Sequence, residues 1–220
     1  MRFPTLTTSI ADTVDYGYYA VCAVEADDEV AGLEAGMAAE DKMFRGKIGA
    51  RNVAKDALTR ARAKQAVPRR RLATWYLQLE RDAKAAYGGN TQASGYHKLL
   101  PQTAPRVLRL PLAERFAIIA TAVTELSDST QPIALHAALK PGEALVAALT
   151  VADVNVAKTQ KSLDNAMVKL QDARTPWLAA YKSLAAALTQ KFPLDKERVE
   201  SYFLQPVVVR VKKAATVVTG

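Results

Sequence analysis

The chain has 220 residues, of which half are apolar, and it carries a formal net charge of +8. This length and apolar content suffice for a buried core, which excludes an intrinsically disordered tail. The single cysteine excludes an intramolecular disulfide, and no segment approaches the roughly 20 consecutive apolar residues of a membrane-spanning helix. These features are compatible with a reducing cytoplasm, where we expect the protein.

The first predicted helix covers SIADTVDYGYYAVCAVEADDEV, residues 9–30. Its Tyr and Val content would also suit a strand. Asp12 and Asp15 interrupt the apolar stretch that a signal peptide would need, so we interpret the N-terminus as that of the mature protein. Cys22, in the same segment, is interpreted as a small buried apolar residue.

A long helix is predicted next, from about Asp41 to Ala66. Val67-Pro68 predicts a break, because proline lacks the backbone N–H that a helix interior requires. A shorter helix, RRRLATWYLQLERDAKAAY, then runs to a turn at Gly88-Gly89-Asn90. The first half of the chain therefore predicts three helical segments.

The second half predicts the same series, beginning with LAERFAIIATAVTEL after Pro111. The breaker Pro141-Gly142 comes before a long amphipathic helix that continues to Ala173. Thr175-Pro176 predicts an N-cap and a first-turn proline for the next helix, which begins near Trp177 and stops at Phe192-Pro193. The apolar stripe of the long helix is Leu145, Val146, Leu149, Val156, Leu163, Met167 and Leu170.

Three landmarks recur at a nearly constant separation, which indicates an internal repeat. The tetrapeptide NVAK begins at Asn52 and again at Asn155, 103 residues later, and Trp75 and Trp177 are 102 apart. An aromatic-apolar-Pro motif at residues 96–101 returns at residues 202–206. We predict an all-α, internally duplicated helical bundle, in which two units related by a pseudo-twofold axis share one core. The predicted domains are a first helical repeat over 1–104, a second repeat over 105–206 packed on the first, and an extended tail over 207–220.

Trp75 and Trp177 allow two interpretations, a ligand platform or a core anchor. Each has an aromatic or aliphatic neighbour one turn along its predicted helix, Leu79 for the first and Tyr181 for the second. This spacing is typical of core residues, so we predict that both tryptophans are core anchors.

The tail after Pro206, VVVRVKKAATVVTG, is rich in β-branched residues and lacks helical spacing. This pattern predicts a short C-terminal strand or an extended tail. A strand would pair with the extended N-terminal segment MRFPTLTT or with a neighbouring subunit. Pairing between chains would make the protein an assembly component.

The positive charge is concentrated between Arg45 and Arg71, where ten basic residues stand against one acid, Asp56. On a helix, four of these basic residues fall within an arc of about 80°, which we call the basic arc: Lys47, Arg51, Lys55 and Arg62. Another side of the helix carries Ala50, Val53, Ala54, Ala57 and Ala61. The candidate binding residues for nucleic acid or an acidic partner are Lys47, Arg51, Lys55, Arg62, Arg69, Arg70 and Arg71.

The basic face of this helix allows four interpretations. It could be a solvated face, or it could contact the acidic segment from Glu25 to Asp41 of another subunit, which holds seven acids and no base. It could also lie along the phosphates of a nucleic acid or on an anionic membrane surface. Opposite charge blocks within one chain favour a protein-facing or solvated surface over nucleic acid.

Residue patterns of catalytic, metal and cofactor sites are missing from the sequence. The two histidines, His97 and His136, and the one cysteine cannot supply a structural zinc set, and no Glu-x-x-His motif of a di-iron protein occurs. We therefore predict no enzyme activity, no metal and no cofactor, although an enzyme of an unfamiliar type and a small-molecule carrier are compatible with the sequence.

The predicted function is that of a non-enzymatic structural or assembly protein. It would self-associate into a homo-oligomer, or bind another protein, through charged helix faces and the C-terminal strand. The alternative is a nucleic-acid-associated protein without sequence specificity, which binds phosphates through the basic helix of residues 45–71.

Overall fold

The structure is a computed structural model that describes residues 3–205. This part of the chain contains helices and no strand, so the predicted all-α class is confirmed. The predicted C-terminal strand, residues 207–220, lies outside the described residues. The helices are α1 (Ile10–Glu25), α2 (Ala35–Ala86), α3 (Ser94–Leu99), α4 (Ala104–Val107), α5 (Leu112–Glu125), α6 (Ile133–His136), α7 (Leu139–Asp172), α8 (Arg174–Lys191) and α9 (Lys196–Ser201).

The chain divides into two compact units, and it passes from one to the other inside α2 and α7. Of the described residues, those before 53 and after 163 belong to unit 1, and residues 53–163 form unit 2. Each unit therefore combines segments from both halves of the sequence. The buried apolar residues form two clusters, one in each unit, and not the single shared core that the sequence predicted.

Unit 1 is organised around Trp177 of α8, which is fully buried as predicted. Its ring stacks on Tyr181 with 5.3 Å between ring centroids, and Phe44 of α2 lies 6.0 Å away. The indole Nε1 donates a hydrogen bond of 3.2 Å to the carboxylate of Asp41, which also accepts one of 2.6 Å from Arg45. These partners satisfy the buried carboxylate of Asp41, which would otherwise be costly to place in the core.

The helix α1 begins at a capped N-terminus. The hydroxyl of Ser9 accepts a hydrogen bond of 3.1 Å from the backbone N–H of Asp12, which satisfies one donor of the first turn. The helical interpretation of this Tyr- and Val-rich segment is therefore correct. Cys22 is half-buried in α1, and not fully buried.

An ion network ties α9 to the turn after α1. Arg198 donates hydrogen bonds to Asp27 at 2.9 Å and to Glu29 at 2.7 Å, and the hydroxyl of Tyr202 donates to Asp27. The guanidinium of Arg198 also lies over the ring of Phe192, 4.0 Å from its centroid. The hydroxyl of Tyr202 and the guanidinium of Arg198 lower the pKa of Asp27 from its ordinary 3.8 to about 2.

The Asp27 carboxylate should make the protein sensitive to acid. Because its pKa is lower in the folded than in the unfolded chain, ionised Asp27 stabilises the fold above about pH 4, and this contribution is lost as the pH falls toward 2. We expect Asp27→Asn to lower the melting temperature at neutral pH and to reduce the further loss between about pH 4 and pH 2.

Asp28→Asn is the matched control for this experiment, because it removes the same charge from an exposed neighbouring side chain. Thermal unfolding followed by circular dichroism across this pH range would measure both variants. Equal pH profiles for the Asp27 and Asp28 variants would contradict the assignment of the acid sensitivity to the Arg198 network.

Unit 2 packs its core around Tyr76 of α2, which is fully buried. Trp75 is only half-buried but packs against this core, so the prediction that it is a core anchor is correct in part, and its Nε1 donates a hydrogen bond of 3.1 Å to the carbonyl of Ala138. Glu80 is buried and accepts hydrogen bonds from the backbone N–H of Ala104, at 3.1 Å, and from Lys84, at 2.9 Å. The other fully buried large residues of unit 2 are Leu79, Leu99, Ile119, Leu126, Leu135 and Leu149.

One of the predicted helix breaks does not occur, and another lies a few residues before the proline that predicted it. Pro68 lies inside α2, which continues from residue 35 to residue 86, and Pro141 lies in the first turn of α7. A first-turn proline costs a helix nothing, because the N–H at that position has no helical acceptor. Pro68 removes only one backbone hydrogen bond, the one to the carbonyl of Lys64, and packing on both sides of this point holds α2 as a single helix.

The junction between α7 and α8 also differs from the prediction. The two helices are separated by Ala173 alone, and Thr175 lies within α8 and does not cap it. The predicted end of α8 before Phe192-Pro193 is confirmed, since the helix stops at Lys191. Of the predicted apolar stripe on α7, Leu149 and Leu170 are buried, but Met167 is half exposed.

Candidate functional site

All seven candidate binding residues lie on α2, but they belong to different units. Lys47 and Arg51 are in the part of α2 that belongs to unit 1, and the others are in unit 2. Lys47, Lys55, Arg62, Arg70 and Arg71 are exposed, whereas Arg51 and Arg69 are half-buried. Within residues 3–205, none of the seven forms an ion pair with a carboxylate.

In unit 2 the basic arc lies beside the contact between α2 and α7. The buried residues Leu58 and Gln65 fall within the same arc of α2 as Lys55 and Arg62. Arg62 donates a hydrogen bond of 3.1 Å to Gln160 of α7, and Gln65 donates one to Asp153. From the first contact to the second, the residue number rises on α2 and falls on α7, so the two helices are antiparallel in unit 2. Part of the predicted phosphate-binding stripe is therefore engaged by α7.

Arg69 is placed differently from its two neighbours. Its side chain lines a small cavity with Arg115 and Leu72, and its Nε is buried without a hydrogen-bond partner among the protein atoms. Arg70 and Arg71 are exposed to solvent. The PRRR motif thus does not present three equivalent side chains on one surface.

The alanine and valine side of α2 is exposed in unit 2. Val53 has 71% of its surface accessible, and Val151 and Val154 of α7 each have 62%. Exposed apolar side chains are candidates for an interaction site where they line a common surface feature. The exposed apolar surface of α2 therefore lies on a different side of the helix from the basic arc.

An open groove of about 440 Å³ runs along this side of α2 and α7. On α2 it is lined by Ala57, Arg60, Ala61, Lys64 and Pro68. On α7 the lining includes Ala148, Val151 and Ala152, with Asn155 and Thr159 farther along. The small side chains leave room between the two helices, and we call this feature the groove.

The edge of the groove is positively charged. Arg60 and Lys64 are both exposed lining residues, and no carboxylate lines the groove. The hydroxyl of Thr159 donates to the carbonyl of Asn155 at 2.9 Å and so is engaged within α7. The groove therefore combines an apolar floor with cationic side chains, which suits a partner that is both apolar and acidic.

The acidic segment from Glu25 to Asp41 is only partly available for contacts with other molecules. Asp27 and Glu29 pair with Arg198, and Asp41 pairs with Arg45 and Trp177 inside unit 1. Two of the remaining acids, Glu25 and Asp28, are exposed. Structural ion pairs thus reduce the acidic surface that the sequence predicted.

Val151, which lines the groove, was not predicted as a contact residue, although the sequence contains a signal for it. Val151 and Val154 lie between about 140° and 200° from Leu149 around α7, opposite its apolar stripe. Apolar residues on the polar side of an amphipathic helix are unusual, and β-branched residues there gain nothing in helix propensity. Of these two valines, Val151 lines the groove and Val154 does not.

In the part of the chain that the structure describes, no three His, Cys, Asp or Glu side chains are grouped as they would be to hold a metal ion. His97 and His136 are both exposed. No helix between residues 3 and 205 has both the length and the apolar character to cross a membrane.

The chain matches no protein-family model, and comparisons with curated proteins and with solved structures find no match either.

Proposed function

We propose that the protein is a non-enzymatic structural or assembly protein that self-associates through a helical face. The observation that carries this proposal is the groove of unit 2. Val151 lines this groove with 62% of its surface exposed, and no carboxylate is among the lining residues. Burial of exposed valine and alanine surface provides a driving force for association with another protein surface. The predicted C-terminal strand is a second proposed contact surface and lies outside residues 3–205.

The internal duplication is part of this proposal, since two similar halves supply the helices of both units. The starts of equivalent helices support it: α1 and α5 begin at residues 10 and 112, and α3 and α9 begin at residues 94 and 196, each pair 102 apart. The long helices α2 and α7 begin at residues 35 and 139, 104 apart. These separations agree with the spacing of the two NVAK motifs and the two tryptophans.

Nucleic-acid binding is the second candidate function, and the exposed cations of α2 favour it. Lys55, Arg70 and Arg71 are exposed and form no ion pair within residues 3–205, so their charges could neutralise phosphates. The engagement of Arg62 by Gln160 and the exposed valines support a protein partner more strongly. We therefore rank protein association first.

The test is the mass of the purified full chain in solution. We expect sedimentation velocity to show a mass above the 23.8 kDa of one chain, rising with protein concentration. Val151→Glu should shift this equilibrium toward the single chain, because it places a charge on the apolar floor of the groove. Val154→Glu is the matched control, since Val154 lies on the same helix with the same exposed fraction, 62%, but does not line the groove.

The same experiment distinguishes the two candidate functions. Protein that sediments as a single chain at every concentration would contradict self-association. Material that absorbs at 260 nm and separates from the protein in high salt would favour nucleic-acid binding instead, because phosphate contacts weaken steeply with salt concentration.

A further inference from the structure

We propose that the groove of unit 2 receives the acidic turn of a second copy of the chain, residues 25–34, with Leu33 as the side chain that enters it. This inference rests on the proposed self-association and specifies which two surfaces meet. It assigns different surfaces to the two partners, so each copy has one receiving groove and one donated turn.

The groove has the dimensions of a receiving site for a short segment. Its α2 side extends from Ala57 to Pro68, a length of about 16 Å along the helix. Ala57 and Ala61 on one side and Ala148 on the other leave a floor without large side chains, so that an incoming leucine would have space. Apolar burial at this floor would supply the affinity of the contact.

The charges of the groove disfavour a dimer in which the grooves of two copies face each other. If the grooves of two copies faced each other around a twofold axis, Arg60 and Lys64 of one copy would lie near the same cations of the other. Like charges that are brought together in an interface oppose association. The tail segment after residue 205 is also a poor occupant on charge grounds, because it carries Arg210, Lys212 and Lys213 and no acid.

The acidic turn has the complementary properties. Glu25 and Asp28 are exposed, and Leu33 exposes 39% of its surface in the same turn. No basic residue occurs between residues 25 and 34, so the turn presents negative charge around its exposed leucine. Its charge and its apolar side chain match the cationic edge and the apolar floor of the groove.

The acidic turn is also held in shape before any contact forms. Arg198 binds Asp27 and Glu29, and backbone hydrogen bonds of 3.0 and 3.1 Å link Val30 to Asp27 and Leu33 to Val30. A turn that is already ordered loses less conformational entropy on binding than a flexible segment would. Arg198 thus serves as a positioning residue for the exposed acids and for Leu33.

A contact between two different surfaces has a consequence for assembly. After one contact forms, one copy keeps an unused groove and the other an unused turn, so association continues into an open chain or closes into a ring, the smallest of which is a dimer with two reciprocal contacts. The mass should therefore rise with concentration, and it should fall with added salt without reaching that of one chain, since the apolar part of the contact is insensitive to screening.

Charge exchange between the two surfaces tests this proposal. One variant of the full chain carries Arg60→Glu with Lys64→Glu, and a second carries Glu25→Lys with Asp28→Lys. We expect each variant alone to associate more weakly than the wild-type chain, by about tenfold or more, because its groove and turn carry the same charge. An equimolar mixture should associate again, because the acidic groove of the first variant matches the basic turn of the second.

Two controls and three outcomes make the result decisive. Arg70→Glu with Arg71→Glu makes the same charge change at exposed positions of α2 outside the groove, and circular dichroism shows whether each variant is folded. The proposal is supported if the mixture recovers the mass of the wild-type assembly while neither variant does so by itself. A wild-type chain that associates while the charge variants associate equally well overturns this pairing and leaves the proposed function standing. A wild-type chain that never associates overturns both.

Discussion

Replacing Trp177 with alanine is expected to lower the free energy of unfolding by about 3–5 kcal/mol, the largest effect that the structure predicts for a single substitution. Trp177 is fully buried, stacks on Tyr181 and packs near Phe44. Alanine would leave a large cavity among these rings, and the buried carboxylate of Asp41 would lose one of its hydrogen-bond donors. Both consequences destabilise unit 1.

Urea unfolding followed by circular dichroism measures this loss, and tryptophan fluorescence adds information about each unit. The chain has two tryptophans, so the Trp177→Ala variant retains Trp75 as a reporter of unit 2. Trp75→Ala is the matched control, because Trp75 is only half-buried and bonds to a backbone carbonyl, at Ala138. A loss for Trp177→Ala no larger than that for Trp75→Ala would contradict the packing described for unit 1.

Replacing Gly17 with alanine should destabilise the protein by about 2 kcal/mol, although alanine is the better helix former. Gly17 lies in α1 where a Cβ would be 2.9 Å from Cζ2 of Trp177 and in contact with the carboxylate of Asp41. Both neighbours are buried and hydrogen-bonded to each other, so neither can move without breaking that bond. The steric cost should therefore exceed the gain of roughly 1 kcal/mol in helix propensity.

Gly46→Ala and Gly49→Ala provide controls of opposite sign. Both glycines lie within α2 in unit 1, and a Cβ at either position would meet no atom within 4 Å. Each substitution should stabilise the protein by up to about 1 kcal/mol, because alanine loses less backbone entropy in a helix than glycine does. Melting temperatures that rise for all three variants would show that α1 does not approach Trp177 and Asp41 this closely.

Local sequence signals predicted helix ends correctly where no tertiary contact opposed them. Phe192-Pro193 after α8 marks a real helix end, because a breaker acts on the residues next to it. The helix break predicted at Pro68 is absent for a physical reason. The lost hydrogen bond of one proline is small beside the packing of α2 along its length, so tertiary contacts outweighed the local signal.

The candidate site shows the same division between local and tertiary information. The concentration of positive charge between Arg45 and Arg71 could be counted in the sequence. The groove could not, because its two sides come from residues 57–68 and 148–159, which meet only when α2 and α7 pack side by side. Exposure of Val151 likewise depends on which face of α7 the core covers, and periodicity alone predicted the buried stripe but no second surface.

By itself the sequence determined that the described chain is helical, where most of its helices lie and how its charges are distributed, since propensity, caps and composition are properties of short segments. Only the tertiary structure decided that the core is divided between two units, that Tyr76 and not Trp75 is buried, and that Arg198 neutralises part of the acidic segment. Asp27 and Arg198 are 171 residues apart. Contacts at such separations depend on how the helices pack against one another, and that packing is a cooperative property of the whole fold and not of any single helix.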